Sequence, residues 1–565
     1  MSSPSLASAD LAPLVHKPGT SDEKDEGPRT NDTRRAADPW PLSAARLLLI
    51  ATLIGAPWAY GAMVPWAWVA LGLIASLALF LWAVGTVQRG ELTLVWSPLY
   101  VPLAMFFLLG VVQYAARLTL DTAETRQALV LLAADLVFFF LAIQLFADAG
   151  RKADRAFGLL VLLFAAAIGL FAILQFASDQ RRMYGRFDLP TAFFGPYDNP
   201  DHFAGLMEML IPVAVFYIVG ARRCPSERRC HSEPFACHSE PYACHSERSE
   251  DSRSVTSRPP GPLPSPLAGE GPGVRGRTRA PRPPSGAVLV LLVLAVAIAL
   301  ASLLLTGSRG GMIALAAEVL VASLLLRRRW AARRTAWWGL AAATAATILG
   351  AALLFSWVDS GWASKRLGLL VNVRSPNWAD KSRLAWTLDS LRMLRGHPAL
   401  GVGLGNFGTA YPGYQSVPGD FWLDHAHDDY AEVIAETGLV GAALIGSALV
   451  LFVRFAFSDC GLHLPSAANA PSPPAPLPPR GEGRVGARSL PSPPAGEGGR
   501  RPGEGSGGAQ GSWIRLGAAI GCCGLLVHSF FDFNLHIPAN AAWFAVLAGL
   551  AVTGTGHRAI EPLSH

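Results

Sequence analysis

Long apolar runs decide what this chain can fold into. The runs 44–62, 64–87, 97–116, 126–147, 156–178, 202–221, 286–306, 311–327, 336–357, 431–455, 514–534 and 538–555 approach or exceed the roughly 20 residues that carry a helix across a bilayer core of about 30 Å. Lipid offers no water to backbone N–H and C=O groups, so each run must close its hydrogen bonds within itself. The expected fold is all-α: a polytopic integral membrane helix bundle of about twelve transmembrane helices, with a large, partly helical loop on its outer face. Composition agrees, since only 16% of the 565 residues are charged, against roughly 25% in a soluble domain.

Basic residues in short loops orient the bundle. Arg151, Lys152 and Arg155 follow the fourth run, Arg327, Arg328, Arg329, Arg333 and Arg334 the eighth, and Arg558 the twelfth. All follow even-numbered runs, which places those loops and both termini in the cytoplasm. The net charge of +6 reflects this bias, and nucleic acid is not an expected partner. Arg34, Arg35 and Arg46 flank the first run after a long polar stretch, unlike a signal peptide.

The expected layout is a cytoplasmic tail (1–43), helices one to six (44–221), an insert (222–285) and helices seven to nine (286–357). A large outer loop (358–430), helix ten (431–455), a second insert (456–513), helices eleven and twelve (514–555) and a tail (556–565) follow. Both inserts are poor in apolar residues and are expected to be disordered cytoplasmic segments. The first repeats a seven-residue unit (HSEPFAC, HSEPYAC) with Cys224, Cys230, His231, Cys237, His238, Cys244 and His245. No CxxC pair occurs, so tandem duplication is a better reading than zinc.

The polar residues that these rules leave over gather on the outer face. Arg309 stands in TGSRGG between two spans, and Arg383 lies in the large outer loop. Arginine there opposes the orientation bias, and its planar fork suits an anionic oxygen ligand. The bland alternative is pairing with Asp380, Asp389 or lipid headgroups. GVGLGNF (401–407) has no βαβ unit around it and reads as a tight turn offering N–H groups to a phosphate. His427 is the candidate base, expected at a helix start with Asp424, Asp428 and Asp429 to orient it. His425, two residues earlier, is not equivalent to it. Asn199 and His202 open the sixth span, and Asp532 lies with Asn534, His536 and Asn540 around the last outer turn.

Taken together, SRLAW, HPALGVGLGNF and HAHDDYAEVIAETGLVG, with TGSRGG, NPDHFAG and DFNLHIPAN, resemble the O-antigen ligase/polymerase family of bacterial membrane proteins. The resemblance implies a metal-independent glycosyltransferase without cofactors in the cytoplasmic (inner) membrane, its active site facing the periplasm. The donor would be a glycan on undecaprenyl diphosphate. The acceptor would be a hydroxyl on lipid A–core, another glycan or a protein. It implies that Arg309 and Arg383 bind the diphosphate and that His427 activates the acceptor, with His425, Asp428, Asn199, His202 and Asp532 as possible support. The family usually has His-Asn where this chain has His427-Asp428. Alternatives are a polymerase using the same donor, a transporter of lipid-linked glycans using Asp135, Glu208 and Glu318, and a non-enzymatic assembly partner.

Overall fold

The computed structural model describes residues 38–90, 94–147, 150–178, 182–188, 193–223, 284–330, 378–417, 422–458, 509–553 and 559–560. The protein is an all-α membrane bundle. Its helices are α1 (Trp40–Trp58), α2 (Pro65–Arg89), α3 (Tyr100–Ala115), α4 (Thr122–Phe146), α5 (Gly150–Ser178), α6 (Pro200–Arg223), α7 (Gly286–Thr306) and α8 (Arg309–Trp330). They continue with α9 (Trp378–Gly396), α10 (Asp429–Ala456), α11 (Ala509–His528) and α12 (Pro538–Val552). Eight are long and apolar enough to cross a membrane, and Tyr100–Ala115, Trp513–His528 and Pro538–Val552 are shorter apolar helices. The expected span at 336–357, residues 358–377 and most of both inserts lie outside the described residues.

Local chemistry sets the helix ends. Proline stands in the first turn of α1, α2 and α12, where its missing N–H costs nothing. Asp121 caps α4 by accepting from the Ala123 N–H at 2.7 Å, as N-cap carboxylates do. Gly90 and Gly307 close α2 and α7 at φ 71° and 68°, conformations that favour glycine.

The core forms around α6, α11 and α12. In lipid, close packing replaces hydrophobic burial as the force between helices, so small residues mark the contacts. Gly517 and Gly521, one turn apart on α11, lie against the α6 backbone. A Cβ on either would meet the Pro212 or Met209 carbonyl oxygen at 2.8 or 2.6 Å. Helix α12 is buried along almost its whole length. Its Trp543 stacks on Phe164 and donates to the Leu53 carbonyl at 2.7 Å. At one end of the bundle Asp38 pairs with Arg46 (2.6 Å) and Arg89, and Leu94–Val95 pairs antiparallel with Ala559–Ile560. The other end carries the polar cluster described next. Helix α11 stops at His528, short of the expected 534, and frees 529–537 to form a turn there.

Candidate functional site

The site is assembled from five separated stretches: 199–202, 308–311, 383–387, 425–436 and 528–540. His427 sits in the segment before α10, at φ +53°. That left-handed backbone is uncommon for a residue other than glycine, and such positions concentrate at functional sites. The turn sends its imidazole away from the neighbouring aspartates. His427 Nδ1 lies 2.9 Å from Asp532 Oδ1. The ring stacks on Trp386 and meets the edge of Phe533, with centroids 5.2 and 4.8 Å away. A carboxylate at Nδ1 fixes the proton on that nitrogen and leaves Nε2 as the basic one.

Asp532 is fully buried. Its second oxygen lies 3.6 Å from His202 Nε2. Burial alone would raise its pKa. The His202 and His427 imidazoles, with His528 behind them, outweigh that and hold the carboxyl well below the usual carboxylate range. Asp532 is therefore a fixed anion at the base of the site.

Asn199 and Arg383 are linked to this pair through α6. Asn199 caps α6, accepting from the Asp201 N–H at 2.9 Å, and its amide lies 3.4 Å from His202 Nε2. Arg383 donates to Asp201 Oδ2 at 3.2 Å, so it is joined through α6 to the His202–Asp532–His427 group. Trp386 and Thr387, on the next turn of α9, touch His427 and Asp428 respectively. Arg309 is exposed at the start of α8, whose cap is Ser308, accepting from the Gly311 N–H at 3.1 Å. Gly310 has no room for a side chain: a Cβ would meet the His528 imidazole. His528 in turn bonds Glu208 at 2.9 Å, tying α8, α6 and α11 together beside the site. Arg392 pairs with Asp389, as the bland reading of the outer arginines expects.

The structure reassigns the residues around His427. The helix starts at Asp429, so neither His425 nor His427 is helical. Asp428 is the N-cap of α10, accepting from the Tyr430 and Ala431 N–H groups at 3.1 and 3.0 Å. Burial raises its pKa, while these N–H groups and Thr387 pull the other way. Asparagine and aspartate cap about equally well, so a cap role accepts either residue at position 428. Asp429 bonds His536 at 2.8 Å. His425 bonds Glu432 at 2.7 Å and stacks on Phe533.

Sequence reasoning passed over Glu432 and Glu436, two carboxylates one turn apart on an otherwise apolar helix. Glu432 holds His425, the Ala426 N–H and, at 3.3 Å, His536. Glutamates at that spacing in an apolar run are costly unless partnered, and that was the available signal. Burial would lower the His536 pKa, but Glu432 and then Asp429 push it up to about 10. His425, Glu432 and His536 also place three ligand atoms within 4.8 Å of one another. Among the described residues this group alone has a cation-binding spacing. Each of those atoms already has a hydrogen-bonding or ionic partner.

The glycine-rich loop does something other than offer N–H groups to a phosphate. The Val402 and Gly403 N–H groups donate to the Ala435 and Glu436 carbonyls, both at 3.0 Å. Leu404 donates to Gln113 and Phe407 to the Glu436 carboxylate. The loop is a brace on α10, which breaks its helical geometry at Gly438, φ 63° and ψ −163°. Gly401 and Gly438 lie against backbone of the facing segment, leaving no room for a Cβ.

With this geometry in place, the comparison with known families is specific. Residues 294–446 match the family model described as O-antigen ligase. The chain carries an O-antigen ligase domain. That domain includes Arg309, Arg383, His425, His427 and Asp428; Asn199, His202 and Asp532 lie outside it but pack onto it. None of the curated proteins searched matches the chain. The match points to a glycosyltransferase-type membrane enzyme, and the matched family works with a lipid-linked glycan donor and a glycan acceptor.

Proposed function

We propose that the protein transfers a glycan from undecaprenyl diphosphate to an acceptor hydroxyl at the periplasmic face of the inner membrane, in the manner of an O-antigen ligase. The observation that carries this reading is the His427–Asp532 pair at 2.9 Å, with Arg383 joined to the same cluster through Asp201.

In this mechanism Asp532 holds the His427 proton on Nδ1, and Nε2 takes the proton of the acceptor hydroxyl. The oxygen attacks the anomeric carbon, and the bond from that carbon to the diphosphate oxygen breaks. The leaving undecaprenyl diphosphate keeps the electron pair and gains charge. Arg383 and Arg309 stabilise that charge, as arginine clamps do for transferring phosphoryl groups. A positioned base is worth typically about 10²–10⁴-fold.

The test is complementation. Wild type, Arg309→Ala, Arg383→Ala and His427→Ala are produced in a bacterium that makes lipid-linked O-glycan but has no ligase. Its lipopolysaccharide is then resolved on a gel. A mature ladder with wild type, lost in the three variants at equal protein level, supports transfer to lipid A–core. Chain growth from single-repeat donor with no ladder would turn the reading to a polymerase. A ladder that persists in all three variants would sink the mechanism.

A further inference from the structure

A second space opens beside the catalytic cluster. A cavity of about 730 Å³ lies between α3, α4, α10 and α12, within the size range of small-molecule sites. Its α10 wall has two stretches at helical spacing, Asp429 to Glu436 and Ile445 to Phe452, on either side of the break at Gly438. Phe106, Leu131, Ile445 and Leu449 are typical of the deeper wall. A trough of this shape and lining suits a hydrocarbon chain.

Its charge decides what head such a chain carries. The polar lining includes Glu124, Asp135, Asp424, Asp429 and Glu436, with His425 and His536 at the mouth. Among the described residues no lysine or arginine lines it, and neither Arg309 nor Arg383 contributes. A diphosphate there would face Glu124, Asp424 and Glu436, with the cationic His536 already engaged by Asp429 and Glu432, and like charges cost free energy in a low-dielectric site. Hydroxyl groups are the better partners, because each donates a hydrogen bond that a carboxylate accepts.

We infer that this trough receives the acceptor side of the reaction: an amphiphile whose hydrocarbon chain lies along α10 and whose uncharged, hydroxyl-bearing head rests beside His425. This rests on the transfer reading above. It brings a hydroxyl to the segment that carries the base, two residues on at His427, and leaves the arginines to the donor. The donor and acceptor then have separate sites of opposite charge character, which keeps a polyanionic donor from occupying the acceptor's place.

The experiment uses two photoreactive amphiphiles on the same diazirine-bearing hexadecyl chain, one with a glucosyl head and one with a diphosphate head. The purified full-length protein in lipid nanodiscs is irradiated with each, and labelled peptides are mapped by mass spectrometry. Expected is labelling of the α4, α10 and α12 walls by the glucoside, exceeding that by the diphosphate by about tenfold, a difference of about 1.4 kcal/mol. Filling the trough with Ala448→Trp or Ala128→Trp is expected to remove the glucoside label while the diphosphate label elsewhere stays. Equal or stronger labelling of the trough by the diphosphate overturns the inference, and so does no labelling there by the glucoside in wild type. Labelling requires no turnover. A protein that labels as expected but transfers no sugar would overturn the transfer reading and leave the amphiphile site standing.

Discussion

His427 and Asp532 are more than a hundred residues apart in the chain, yet their side chains meet at 2.9 Å. The histidine comes from within the O-antigen ligase domain and the aspartate from outside it. If this pair is the working base, Asp532→Asn removes the charge that orients and supports the imidazole without changing shape. Transfer is expected to fall by about 10²–10⁴-fold, the range of general-base catalysis. The acidic limb of the pH–rate profile, where the base is protonated, should also move to lower pH, which simple loss of packing would not cause. Initial rates in proteoliposomes across pH, for wild type and variant, check this.

Arg383 makes one charge-assisted hydrogen bond, to Asp201. Its fork still has donors for a second anion. Arg383→Ala is expected to raise the donor KM or lower kcat, with kcat/KM for the donor down about 10–100-fold, as for loss of a hydrogen bond to a charged group worth roughly 1.5–3 kcal/mol. Arg383→Lys should restore only part, because lysine is a point charge. Donor and acceptor titrations separate this from a general defect.

Gly438 holds a backbone conformation that is essentially confined to glycine, against the Ala399 carbonyl. Gly438→Ala is expected to destabilise the protein by about 1–3 kcal/mol from strain alone, and more from the clash. A lower melting temperature in detergent is the measurement. An unchanged melting temperature would mean that the brace is not needed for stability.

The His536 pKa stands at about 10 in the folded protein, against 6.5 for a free histidine. A raised folded value means that the stability from its pairing with Asp429 and Glu432 is fully present below pH 6.5 and lost as pH rises through about 10. Thermal unfolding from pH 6 to pH 10 should show this loss in wild type. His536→Asn should flatten that part of the profile.

On the proposed mechanism, charge on the leaving diphosphate is met by arginine, and no step calls for a metal ion. Transfer in proteoliposomes is expected to survive a chelator at concentrations that strip divalent ions. A chelator-sensitive rate, restored by one cation, would turn attention to His425, Glu432 and His536, whose ligand atoms are close enough for one.

Much of the bundle was legible because lipid enforces a simple rule, length and apolarity of each run. The same rule misjudged α11, because Phe530, Phe531 and Phe533 extend its apolar pattern past His528, where the helix stops. His427 was legible as a histidine among acids on one face of the membrane. Its partner was not, because the obvious aspartates are its neighbours in sequence. The positive φ at His427 separates those neighbours: Asp428 goes to the cap and Asp429 to His536. The glycine-rich loop looked like a phosphate cradle because glycine serves both close ligand approach and close helix packing, and sequence does not distinguish the two.

The ends of α6 and α7 that flank residues 224–283, and the ends of α10 and α11 that flank residues 459–508, all lie on the face away from the catalytic cluster. Length added between those ends leaves the cluster's distances untouched. The same geometry makes the chain divisible. A piece ending after α10 and a separately produced piece beginning before α11 would still share the α6–α11 glycine contacts and the His427–Asp532 bond.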